Sequence, residues 1–97
     1  MYVALGRFDL HLQGGPQSLK EKRAIVRKIR DRLRTRLGLS AAEVDAQDLW
    51  QRAVLGVAFV GADQPTARHQ LDAARKLVLS FPEVELLGED VEVMAYP

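Results

Sequence analysis

A period of two runs from Met1 to Leu12, with Tyr2, Ala4, Gly6, Phe8, Leu10 and Leu12 on one face and Val3, Leu5, Arg7, Asp9 and His11 on the other. This pattern predicts a first strand. Gly14, Gly15 and Pro16 break it, and Ser18 followed three residues later by Glu21 forms a capping box that opens a helix ending at Gly38. The period there changes to that of a helix, because Leu19, Ile25, Val26, Ile29, Leu33 and Leu37 fall within about a third of the circumference. A short alternating stretch from Leu39 to Ala46 predicts a second strand. Trp50 to Gly61, rich in Val, Leu and Phe, predicts a stronger third one, with the turn around Asp45 to Leu49. Asp63 then caps a second helix with Pro65 in its first turn, on which Ala67, Leu71, Ala74, Leu77, Val78 and Phe81 share one side. Pro82 stops that helix, and Val84 to Tyr96 supplies a fourth strand with a bulge expected at Gly88.

The order βαββαβ, with right-handed crossovers over one antiparallel sheet, gives an α+β ferredoxin-like sandwich. The expected strand order is 4-1-3-2, with both helices on one face and residues 1–97 forming a single domain, as a chain of this length ordinarily does. The opposite sheet face is left uncovered. Val3 and Leu5, with neighbours from the third strand, make it aliphatic, and an apolar patch of that kind motivates a homodimer.

Composition narrows the class of protein without naming a function. An apolar share of 47% and a charged share of 28% fit a folded globular domain, and the absence of cysteine removes disulfides and thiolate metal sites. The longest nearly uncharged apolar stretch, Ala53 to Ala62, is half of the ~20 residues a membrane-spanning helix needs, so no membrane role is expected. The first residues open directly into a strand pattern with no signal-peptide character, so the cytoplasm is the expected location.

Charge changes the picture more. The net charge is only +1, yet nine of the fourteen basic residues lie between Lys20 and Arg36 with only two acids among them, whereas Glu83 to Pro97 holds five acids and no base. Such a dipole bears on the choice of partner, not on the fold. Lys20, Arg23, Arg27, Arg30 and Arg34 step by three and four along the first helix. They form a stripe ~80° wide and ~21 Å long. Lys22, Lys28, Arg32 and Arg36 broaden it. Cations at these spacings repel one another, and guanidinium forks hold phosphate oxygens bidentately, so the stripe suits RNA or the ribosome. In the competing reading it is a solvated face whose arginines reach the acids of this same domain, the C-terminal strand above all.

The remaining chemistry is sparse. Glu43, Asp45 and Asp48 bracket the predicted hairpin, with Glu43 and Asp45 expected on one face; solvated acids are favoured there over a magnesium site. In one reading of this turn Asp45 or Asp48 pairs with Arg52 and fixes the hairpin; in the alternative Asp45, Gln47, Asp48, Trp50 and Arg52 form a partner surface anchored by Trp50. The Gly14–Ser18 segment lacks the spacing of a phosphate-binding loop. His11 and His69 stand alone, and no serine has a nucleophile context, so neither enzyme activity nor a cofactor is expected. The third strand, RAVLGVAFV, carries a single aromatic, which disfavours base stacking on the sheet.

Two segments carry a family resemblance. Ser18-Leu19-Lys20-Glu21-Lys22-Arg23, and Glu43 to Ala53 (EVDAQDLWQRA) followed by Leu55-Gly56-Val57-Ala58, resemble the YlxP-like family of small bacterial proteins. The resemblance spans nearly the whole chain. It implies a ferredoxin-like fold, no known catalytic residues, and genes that often sit beside those for translation initiation and ribosome maturation. The expectation is therefore a non-catalytic RNA- or ribosome-binding protein using Lys20, Lys22, Arg23, Arg27, Arg30, Arg34 and Arg36. A homodimeric interaction module with no nucleic-acid role is the alternative.

Overall fold

The computed structural model describes all residues from Met1 to Pro97. Its elements run β1 (Tyr2–Leu12), α1 (Leu19–Leu37), β2 (Ser40–Asp45), β3 (Arg52–Gly61), α2 (Gln64–Leu79) and β4 (Val84–Ala95). The sheet order is β2-β3-β1-β4, the expected 4-1-3-2 read from the other edge, with β1 and β3 central and every neighbouring pair antiparallel. This is the ferredoxin-like α+β sandwich that the hydrophobic periods predicted.

The alternation in β1 decides which face is covered. Ala4, Phe8, Leu10 and Leu12 are buried with Ala53, Leu55 and Val57 of β3, against Val26, Ile29 and Leu33 of α1 and Ala67, Leu71, Ala74 and Val78 of α2. Burying side chains of this size contributes roughly 1.5–3 kcal/mol each. Opposite registers put Val3, Leu5, Arg7, Asp9 and His11 on the open face beside Val60, Ala58, Gly56, Val54 and Arg52. In β4 the register shifts between Asp9 and Leu10, whose partners are Gly88 and Leu86, so Leu87 is the extra residue of the bulge expected at Gly88.

The helix signals act as the sequence predicts. Glu21 N–H donates to Ser18 Oγ at 3.1 Å, and Glu21 Oε2 accepts from Gln17 N–H, so the start of α1 is occupied by its own residues. Gly38 ends α1 in the left-handed region at φ 65°, where a Cβ would be strained. Asp63 accepts from Thr66 N–H at 2.8 Å at the start of α2. Hydrogen bonds from Thr66, first its backbone N–H and then its hydroxyl, hold the Asp63 carboxyl below its ordinary value.

A depressed carboxylate pKa means that the folded chain binds fewer protons at this site. Its stabilisation is present above the ordinary Asp value of ~4 and is lost as pH falls through the lower folded value. Asn keeps the cap acceptor but cannot titrate. Asp63→Asn is therefore expected to flatten the dependence of Tm on pH in the acid range, and identical profiles for the two proteins in thermal melts would contradict the assignment.

Candidate nucleic-acid interface

Helix α1 lies beside β2, an edge strand of the sheet, and presents its basic residues in five different settings. Lys20, Arg23, Arg27 and Arg36 are exposed and form no salt bridge and no side-chain hydrogen bond. Arg30 turns to its neighbour Asp31, at 2.9 Å. Arg34 reaches over the β2 edge, where its Nε and Nη2 donate to the Ala41 carbonyl at 3.1 and 2.7 Å. An edge carbonyl covered in this way is withdrawn from pairing with another strand. On the opposite flank of the helix, Lys28 and Arg32 stand over the Phe81 ring at 5.5 and 4.9 Å, and Lys28 pairs with Glu83 at 3.3 Å. Of the C-terminal acids only Glu83 thus pairs with a base of α1, on that flank and not on the stripe.

Lys22 corrects the expectation most sharply. It does not broaden an exposed stripe, because its side chain is 0% exposed. The physical reason is phase: Lys22, Val26, Ile29 and Leu33 step by four, three and four, which places Lys22 in line with the buried row. Its ammonium lies 2.6 Å from Glu43 Oε2 and donates to the carbonyls of Ala46 at 2.8 Å and Gln47 at 3.2 Å. Two carbonyls thus accept hydrogen bonds from the ammonium, and Glu43 stands beside it as the counter-ion. Ala46 sits in the left-handed region at φ 59°, which aims its carbonyl at Lys22 while Leu49 N–H donates to the same oxygen and closes the turn. In this way Lys22 ties the helix start to the β2–β3 turn, the two segments that carried the family resemblance.

The hairpin acids also differ from expectation. Arg52 pairs with Asp9 on β1, Nη2 to Oδ2 at 2.7 Å, and not with Asp45 or Asp48. Asp45 pairs instead with Arg7 at 3.3 Å. Glu43 and Asp45 do not share a face. Val44 is an extra residue in the ladder, so Glu43 lies opposite Leu55 on the helix side and Asp45 opposite Val54 on the open side. Glu43, Asp45 and Asp48 therefore do not converge, and no three potential metal ligands come together.

What the turn does build is a groove of about 360 Å³ against α1, lined by Arg23, Arg27 and Arg30 on one side, Glu43, Gln47 and Asp48 on the other, and Val26. Glu43 is matched by Lys22, whereas Arg23, Arg27 and Asp48 have no ionic partner. Opposite charges that share a groove without pairing leave more than a contact distance between them. Past the turn Trp50 is 50% exposed, with Leu49 similarly open. In the sequence the stripe and the turn stand apart and the groove between them carries no local pattern; the helical phase of Lys22 is the signal that joins them.

Comparison with known proteins bears on family and fold. The chain is 37% identical over 68 residues to the Bacillus subtilis (strain 168) protein described as "Uncharacterized protein YlxP", covering 70% of this chain and 74% of that one. Among solved structures it is similar to a variant of SnoaB from Streptomyces nogalater, a cofactor-independent oxygenase, with a TM-score of 0.51 over 98% of this chain and 92% of that one. At 10% identity this shows a shared fold alone. Residues 3–91 match the family described as "Protein of unknown function (DUF503)", a span that includes both motif segments, and the chain belongs to that family.

Proposed function

We propose that the protein binds single-stranded or loop RNA, as a free strand or within the ribosome, through the N-terminal half of α1 and the β2–β3 turn, without catalysing a reaction on it. The observation that supports this reading is the groove, where unpaired Arg23 and Arg27 face a rigid turn that leads to an exposed tryptophan. Guanidinium forks fit phosphate oxygens, and an exposed indole offers a π-face to an unpaired base. Lys20 extends the cationic row at the start of the helix, and Arg36 stands at its far end. The open sheet face lacks the stacked aromatics that sheet-based RNA readers use, so the contact belongs to the helix side.

The direct test is cosedimentation with ribosomal subunits and with purified ribosomal RNA across a salt series. Binding that weakens steeply with salt is expected, because each phosphate neutralised releases counterions. Absence of binding to either at low salt would overturn the reading. Trp50→Ala should weaken binding to a short unstructured RNA by roughly tenfold, the low end of a ~1–3 kcal/mol stacking contribution, while Trp50→Phe retains most of the affinity. Unchanged affinity of Trp50→Ala, measured by fluorescence anisotropy of labelled RNA, would remove the indole from the interface.

A further inference from the structure

The second large surface feature is the open sheet face, which α1 does not approach except where Arg34 wraps the β2 edge. Register and packing place Leu5, Val44, Val60 and Met94 on it, each between 38% and 58% exposed. Leu5 and Val44 line a depression of about 1030 Å³ whose floor includes Gly56, Ala58 and Arg7, the last paired with Asp45. Its two rims carry opposite charge. Arg34 stands at the β2 rim and Asp90 and Glu92 at the β4 rim. Asp90 and Glu92 have no ion pair, and Arg34 has only a neutral carbonyl partner.

These rims are also at the same height along the strands. Arg7 is aligned with Asp90 on one side and with Gly56, then Ala42, on the other; Leu5 is aligned with Glu92 and with Ala58, then Ser40. Ala41, which Arg34 holds, falls between these two rows. Strands ~4.8 Å apart separate β2 from β4 by ~14 Å, too far for Arg34 to meet Asp90 or Glu92 within one chain. Rotation by 180° about an axis parallel to the strands in the plane of the open face carries β4 of one copy over β2 of the other without changing the height.

We propose that a second copy of this chain packs on the open face about that axis, with Arg34 of each copy against Asp90 and Glu92 of the other and the aliphatic centre enclosed between them. The interface is isologous, so every complementary pair occurs twice. Two sheets face each other ~10 Å apart, and the helices lie on the two outer surfaces. This arrangement does not rest on RNA binding and leaves the α1 groove of each copy open.

Equilibrium sedimentation tests it with two variants, Arg34→Glu and the double variant Asp90→Arg with Glu92→Arg. The wild type is expected to be dimeric in the micromolar range, and each variant alone is expected to dissociate at least about tenfold more readily, because like charges meet twice. An equimolar mixture of the two variants is expected to recover the dimer, since both contacts are then complementary; this recovery also shows that both variants fold. A wild type that stays monomeric up to roughly 500 µM, variants that dimerise as the wild type does, or a mixture that stays monomeric would each overturn the proposal.

Discussion

Replacing Lys22 with methionine is expected to destabilise the fold by roughly 3–5 kcal/mol, the largest effect of any single surface-type residue in this chain. The aliphatic stem is nearly preserved, so lost packing is a minor part of the effect. What is lost is the ammonium 2.6 Å from Glu43 and its hydrogen bonds to Ala46 and Gln47. Glu43 then remains on the helix side of the sheet without a counter-ion, the Gln47 carbonyl loses its donor, and the Ala46 carbonyl keeps only the Leu49 N–H. The double variant Lys22→Met with Glu43→Met is expected to recover part of the loss, because removing both charges eliminates the uncompensated carboxylate. Urea unfolding checks both statements. A Lys22→Met protein that unfolds at the wild-type midpoint would show that the buried ammonium does not hold the turn.

The second large effect concerns affinity. Arg23→Gln with Arg27→Gln is expected to lower RNA affinity tenfold or more at low salt and to reduce the log–log salt slope by ~1.4, if each arginine neutralises one phosphate of a single strand. Lys28→Gln with Arg32→Gln is the matched control, with the same change in net charge on the same helix. Those two side chains are engaged with Phe81 and Glu83 on the other flank. The control pair should cost some stability, since cation–π contacts contribute ~0.5–1 kcal/mol each at exposed sites, and leave the salt slope nearly unchanged. Equal losses of affinity in both pairs would mean that net charge, not the groove, attracts the RNA.

Much of the architecture was legible because local patterns and global fold agree. The alternation in β1 named its buried residues, Ser18 and Asp63 marked both helix starts, and the two helix–strand halves implied the sheet order. What escaped has non-local causes. One additional residue at Val44 puts Glu43 and Asp45 on opposite faces, and a period of two carries no sign of it. Arg52 meets Asp9 and not a turn acid because the β1–β3 register sets His11 opposite Arg52, next to Asp9. Lys22 was grouped with the stripe by its charge, although its helical phase places it with Val26 and Ile29. The basic residues of the site were visible in the sequence, but the groove was not, because its second wall arrives through a turn twenty residues downstream.

The central claim is that RNA contacts the N-terminal half of α1 and the β2–β3 turn. The most direct measurement is the change in backbone amide NMR shifts of the isotope-labelled protein on titration with a short unstructured RNA at low salt. The largest changes are expected at Lys20 to Arg30 and at Glu43 to Trp50, including the Trp50 indole N–H, with α2 and the open-face residues of β1 and β4 unmoved. Changes centred on Leu5, Ala58 and Glu92 instead, or none at any residue, would contradict it.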